Sequence, residues 1–175
     1  KAPDAEALAQ IADFQEAFNL ASRPGLVSIA LVHGHAIGAG FQLALSCDIR
    51  IATPDTQFTM AEVTLGLVPD LGGTKRLVEL VGYSRAASIC LTGRRVSAAE
   101  AASIGLVSDV VPLAQLHPAG ITYAAQILGL PVAAVVETKA LLLAASQRGH
   151  GDQQRAEREA QLRQLRALAG IESEA

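Results

Sequence analysis

LVSIALVHGHAIGAGFQLALSCD, residues 26–48, is the stretch whose reading decides the fold. Leu26–Val32 is a mostly apolar run with two valines and an isoleucine, bounded by Pro24-Gly25 and His33-Gly34, the pattern of a buried strand. Residues 33–40 hold Gly34, Gly38 and Gly40 and read as a loop whose backbone can turn tightly or approach a ligand closely. Phe41–Cys47 is apolar without β-branching, which favours a short buried helix. A strand, a glycine loop and a helix N-terminus in succession aim free backbone N–H groups at something electron-rich.

Before this stretch, Asp4 is placed to cap a helix with Leu8, Ile11, Phe14 and Phe18 on one face, ended by Ser22-Arg23-Pro24. After it, Ile49-Arg50-Ile51 and residues 57–61 read as short strands, and residues 62–73 (EVTLGLVPDLGG) as a loop-rich segment. Residues 74–81 and 84–91 read as helices, Ser97 with Glu100 as a reciprocal capping box, and residues 106–111 as a last strand. Helices follow: 113–128, a segment from Pro131 to about Gln147, and a charged helix over 152–168 with Leu162, Leu165 and Leu168 as a thin stripe suited to docking on a neighbour or another subunit. This order predicts an α/β fold with parallel pairing over residues 1–112 and a helical region over 113–175.

The 175 residues suffice for a sizeable core, and alanine and leucine rather than aromatics (3%) supply its apolar character. A net charge of −3 gives no case for nucleic-acid binding. No run approaches the ~20 apolar residues of a membrane span, and nothing at Lys1 has the pattern of a signal peptide. Cys47 and Cys90 lie in apolar runs and read as reduced residues of a cytoplasmic protein. Cys/His ligand spacing is absent, so no metal site is expected. The start at Lys1-Ala2-Pro3 is abrupt and reads as that of a fragment.

Glu62 and Asp70 are the carboxylates of the glycine-rich segment, and their apolar neighbours suit proton transfer near neutrality. Equally, Asp70 can cap the helix after Gly72 and Glu62 can end a strand in water. Asp48 reads as a turn residue or hydrogen-bond acceptor, and His33 and His35 as turn or packing residues. GHAIGAG has neither of the common phosphate-loop spacings. Gly38-Ala39-Gly40 at a helix start suits a single oxyanion better than a triphosphate.

Three blocks in order carry a resemblance: VHGHAIGAGFQLALSCDIRIA, QFTMAEVTLGLVPDLGGTKRLVELVG and LTGRRVSAAEAASIGLVSDVV. Together they resemble the crotonase superfamily of enoyl-CoA hydratases and isomerases, closely over residues 22–112. The resemblance implies a spiral of ββα turns followed by C-terminal helices, usually assembled as a trimer or hexamer. It implies acyl-CoA thioester substrates, coenzyme A being part of the substrate and no separate cofactor being needed. It implies an enolate held by two backbone N–H groups, one at Ala39 and the other supplied by an earlier segment that nothing here matches. Gly38, Gly40, Gln42, His35, Leu67 and Pro69 become the substrate-binding positions. The family's hydratases carry two glutamates, which fall at Gln42 and Glu62 here. Glutamine holds a water but does not take its proton, so the resemblance points to double-bond isomerisation by Glu62 with help from Asp70. The alternatives are hydration with Gln42 placing the water, and a non-catalytic CoA-binding or assembly relative.

Overall fold

The computed structural model describes residues 3–170; the Lys1-Ala2 start and positions 171–175 lie outside the described residues. The chain divides into two compact units, one made of residues up to 23 with 27–124, the other of 24–26 with residues from 125 onward.

The first unit opens with α1 (Pro3–Asn19) and then repeats one motif. β1 (Ile29–Val32), β2 (His35–Ile37) and α2 (Ala39–Ser46) are followed by β3 (Ile49–Ala52), β4 (Gln57–Thr59), a 3-10 turn over Glu62–Leu65 and α3 (Gly73–Val81). Then come α4 (Tyr83–Thr92), β5 (Arg95–Ser97), α5 (Ala98–Ser103), β6 (Asp109–Val110) and α6 (Leu113–Leu128). One sheet has the order β1-β3-β6 and the other β2-β4-β5, so the two strands of each of the first two turns enter different sheets. All pairings are parallel except β4 with β5. This is a mixed α/β spiral of ββα turns.

The turns stack because each contributes apolar side chains to one core. Phe41 and Leu45 of α2, Phe58 of β4, Met60, Leu77 of α3, Ile89 of α4 and Leu106 are buried together. The rings of Phe41 and Phe58 meet at 5.2 Å, inclined by 46°. Arg50 is also buried, and its guanidinium serves backbone rather than a carboxylate. It donates to the carbonyls of Leu106 (2.7 Å), Cys47 (2.5 Å), Ala44 (3.3 Å) and Asp48 (3.4 Å), tying the end of α2 and the segment before β6 to β3. Burial pulls its pKa down from the usual arginine value. Asp48 is the acceptor its sequence context suggests: its Oδ2 takes the Ser28 N–H at 2.8 Å and the Ser28 hydroxyl at 3.1 Å.

Several expected elements are cut or displaced. The strand expected from Leu26 begins only at Ile29, because Ser28 is engaged with Asp48. The loop expected over residues 33–40 contains β2, whose three residues pair with β4 between two glycines and so carry no period of their own. The strand expected over 106–111 is reduced to β6, since the N–H groups of Leu106 and Val107 close the end of α5 on the Ala101 carbonyl. β5 was not expected at all. Only half of the capping box forms: Ser97 Oγ accepts from the Glu100 N–H at 3.2 Å, while the Glu100 carboxylate turns to Arg94 at 2.6 and 3.0 Å. α1 begins at Pro3, so Asp4 lies inside its first turn. Leu8 and Phe14 of its apolar stripe are exposed, with Ile11 and Phe18 half-buried.

The second unit contains α7 (Val132–Ala145), entered through Pro131, and α8 (His150–Leu168). Arg163 grips Glu137 at 2.8 and 2.9 Å, and the buried Lys139 donates to the Leu26 carbonyl. Leu162, Leu165 and Leu168 are exposed along α8. Among the described residues no single helix is long and apolar enough to cross a membrane.

Candidate active site

The site lies in the first unit, where β2 hands over to α2. Gly38 is pinned by its N–H, which donates to the Thr59 carbonyl at 2.8 Å, and turns the chain with a φ of +52°. That left-handed backbone suits glycine. The first bond inside α2 runs from the Gln42 N–H to the Gly38 carbonyl at 2.9 Å. The N–H groups of Ala39, Gly40 and Phe41 therefore precede the helical ladder. Ala39 and Gly40 are exposed. Their donors and the positive end of the helix dipole favour a negative charge placed before them.

Glu62 stands against this turn. A Cβ added at Gly38 would lie 3.3 Å from Glu62 Oε1, so the glycine also gives the carboxylate room. Gln42 Nε2 donates to that same Oε1 at 2.7 Å. Glu62 Oε2 is shielded from solvent and has no hydrogen-bond partner among the described residues. It therefore does not end a strand in water; it follows β4 at the start of the 3-10 turn with one oxygen anchored and the other bare. Buried polar atoms are nearly always paired, so this oxygen is one that a further group is suited to meet. Cys90 of α4 is near enough to feel the Glu62 charge: burial chiefly, and then that charge, push its thiol pKa up.

Gln42 is 1% exposed. Its amide oxygen accepts from the Leu71 N–H at 2.9 Å and the Gly73 N–H at 3.2 Å, which uses both lone pairs. One glutamine thus joins Glu62 to the segment that carries Asp70. Asp70 is half-buried, and its carboxylate has no bonded partner among the described residues. Its carbonyl accepts from Gln15 Nε2 of α1 at 2.6 Å. Asp70 does not cap α3, whose N-cap is Gly72 with no side-chain bond.

Leu67 is exposed with Leu65 and Val68 beside it, and Pro69 is half-buried, so residues 63–69 present an apolar surface next to Glu62. His35 is exposed on β2. Lys139 is buried in the second unit and Arg94 is paired with Glu100, whereas Arg95 is exposed. Among the described residues no three His, Cys, Asp or Glu side chains gather as metal ligands. The backbone donors at Leu71 and Gly73 were not anticipated. The doubled Gly72-Gly73 was the signal for them: a Cβ at Gly73 would stand 2.7 Å from Gln42 Cγ.

A ββα spiral with a glycine-opened helix start facing a buried carboxylate defines a crotonase-class protein. The model of the enoyl-CoA hydratase/isomerase family matches residues 4–170, and the chain belongs to that family. It is 48% identical over 84 residues to the 2,3-dehydroadipyl-CoA hydratase of Escherichia coli K12, covering 48% of this chain and 33% of that protein. It is 44% identical over 116 residues to the peroxisomal Δ(3,5)-Δ(2,4)-dienoyl-CoA isomerase of Arabidopsis thaliana, covering 66% of this chain and 42% of that protein. A Thermobifida fusca YX protein named as an enoyl-CoA hydratase, crystallised with CoA, superposes with a TM-score of 0.92 at 53% identity, over 96% of this chain and 66% of that one. Its acetoacetyl-CoA complex superposes with a TM-score of 0.88. The chain thus spans about a third to two-fifths of these two curated relatives and about two-thirds of the solved one.

Proposed function

We propose that the protein acts on acyl-CoA thioesters through an enolate held at the Ala39 N–H, and that its reaction is enoyl-CoA double-bond isomerisation. In this reading Glu62 Oε2 removes a proton from C2 of a 3-enoyl thioester. The negative charge spreads onto the thioester oxygen, where a preorganised helix-start donor stabilises it without reorganising. The proton returns at C4, carried by Glu62 with Asp70 assisting. Gly38 and Gly40 let the thioester approach the backbone, and Leu67 and Pro69, with His35 at the rim, line the path of the acyl chain. Solved relatives crystallised with CoA and acetoacetyl-CoA support the substrate class.

The observation that carries the reading is the bare, buried Glu62 Oε2 beside an amide at position 42 rather than a second carboxylate. One base moves a proton along a chain; splitting water across a double bond draws on two. Hydration is the second reading, favoured by the hydratase names of the E. coli and Thermobifida relatives. Gln42 would then place the water through its one unused N–H. A cytoplasmic trimer or hexamer completes the proposal, with the exposed leucines of α8 as a surface suited to assembly.

The test incubates the full-length protein with a 3-enoyl-CoA and with a 2-enoyl-CoA. Isomerisation creates conjugated absorbance from the first, hydration removes it from the second, and a non-catalytic relative does neither. Glu62→Gln is expected to lower 3-enoyl turnover ~10²–10⁴-fold; unchanged turnover sinks the proposal.

A further inference from the structure

Gln42 does more than stand where a carboxylate is missing. Its oxygen is saturated by two backbone donors, Leu71 N–H at 2.9 Å and Gly73 N–H at 3.2 Å. An amide so held has its orientation decided: the oxygen faces residues 71–73 and the nitrogen faces Glu62, to which it donates at 2.7 Å. Burial at 1% exposure leaves the side chain no room to swing out. The two carboxylate oxygens of Glu62 are thereby made unequal, Oε1 anchored and Oε2 bare.

We infer that Gln42 is a positioning residue that locks Glu62 by Oε1, assigns proton exchange to Oε2, and tethers the base to the loop carrying Asp70. The inference rests on the proposed role of Glu62. The tether couples two parts that sequence leaves independent: displacing residues 70–73 pulls on Gln42, and through it on the base. It also separates what an amide does at this position from what a carboxylate would do. A carboxylate at position 42 would keep both backbone donors, but it would set its second oxygen against Glu62 Oε1 at hydrogen-bond distance. Two carboxylates that close share one proton. Among the described residues, Cys90 on α4 also feels the Glu62 charge; α2 brings no titratable group, and Asp70 comes from the tethered loop.

The experiment uses the full-length protein, Gln42→Glu and Gln42→Met, with two readouts. Hydrogen exchange reads the tether directly. In Gln42→Met, which keeps length but loses all three bonds, the Leu71 and Gly73 amides are expected to exchange at least about tenfold faster; in Gln42→Glu they stay protected. The pH–rate profile with 3-enoyl-CoA reads the positioning. Gln42→Glu is expected to move the acid limb upward by about one pH unit or more, and Gln42→Met to lower kcat with little change in KM. Unchanged exchange at Leu71 and Gly73 in Gln42→Met overturns the tether. An acid limb that stays in place in a turning-over Gln42→Glu overturns the positioning role. If the wild type turns over neither enoyl-CoA, the isomerase reading fails, and exchange alone still decides the tether.

Discussion

Gly73→Ala is the substitution in which the packing around Gln42 has the clearest consequence. Gly73 is the first residue of α3, is buried, and has an ordinary helical backbone. On propensity alone an alanine there would gain ~0.5–1 kcal/mol. The added Cβ would instead stand 2.7 Å from Gln42 Cγ, 3.0 Å from its Oε1 and 3.2 Å from its Cδ. Gln42 is buried and has nowhere to move. Overpacking of this kind costs ~1–3 kcal/mol. Moving the amide also weakens the bonds to Leu71 and Gly73, worth ~1 kcal/mol each. The balance is a loss of about 3 kcal/mol. In a chain of 175 residues this lowers Tm by roughly 6–12 °C. The control is Gly40→Ala, also helical and in the same unit, where an added Cβ would meet nothing within 4 Å; it should stabilise by a few tenths of a kcal/mol up to about 1. Thermal unfolding of the two variants beside the wild type decides the matter. A Gly73→Ala protein as stable as Gly40→Ala would refute the packing argument and with it the immobility of Gln42.

Other expectations follow from the same contacts. Arg50→Met keeps much of the volume but strips donors from buried carbonyls of Ala44 and Leu106. With charge-assisted bonds worth ~1.5–3 kcal/mol each, and part of that returned as relieved desolvation, the net loss is about 3 kcal/mol, read as a lower urea midpoint. Arg94 holds Glu100 below its ordinary carboxyl range through their hydrogen bond. The pair is about one-third exposed, so solvent screening limits it to at most ~1 kcal/mol. Because the folded-state value is depressed, that contribution is present above the unfolded carboxyl value of 4.5 and disappears as pH falls below it. Glu100→Gln should therefore lower stability near pH 7 and make no difference near pH 2; an equal loss at both would exclude the ion pair as its source.

Much of the site was legible in the chain itself. The apolar run ending at Val32, the glycines at 38 and 40 and the unbranched Leu43–Leu45 announce strand, turn and helix because each is a local preference of the backbone. The glutamate at 62 was visible as a carboxylate among apolar neighbours. Other features were not local. β2 is three residues long between glycines, and only the partner strand at Gln57–Thr59 makes it a strand. Glu100 promises a reciprocal cap by spacing, but Arg94 offers its carboxylate a charged partner and wins. The apolar stripe of α1 is equally plain, yet Leu8 and Phe14 are exposed among the described residues.

Position 42 shows the division most clearly. That a neutral amide stands there is a fact of sequence, and it alone removes the second carboxylate. What the amide does was decided by folding, which brought Leu71 and Gly73, 29 and 31 residues away along the chain, to its oxygen and Glu62, 20 residues away, to its nitrogen. Residue types are chosen one position at a time. Hydrogen-bond saturation depends on which donors arrive together, and only the packed chain brings them to one place.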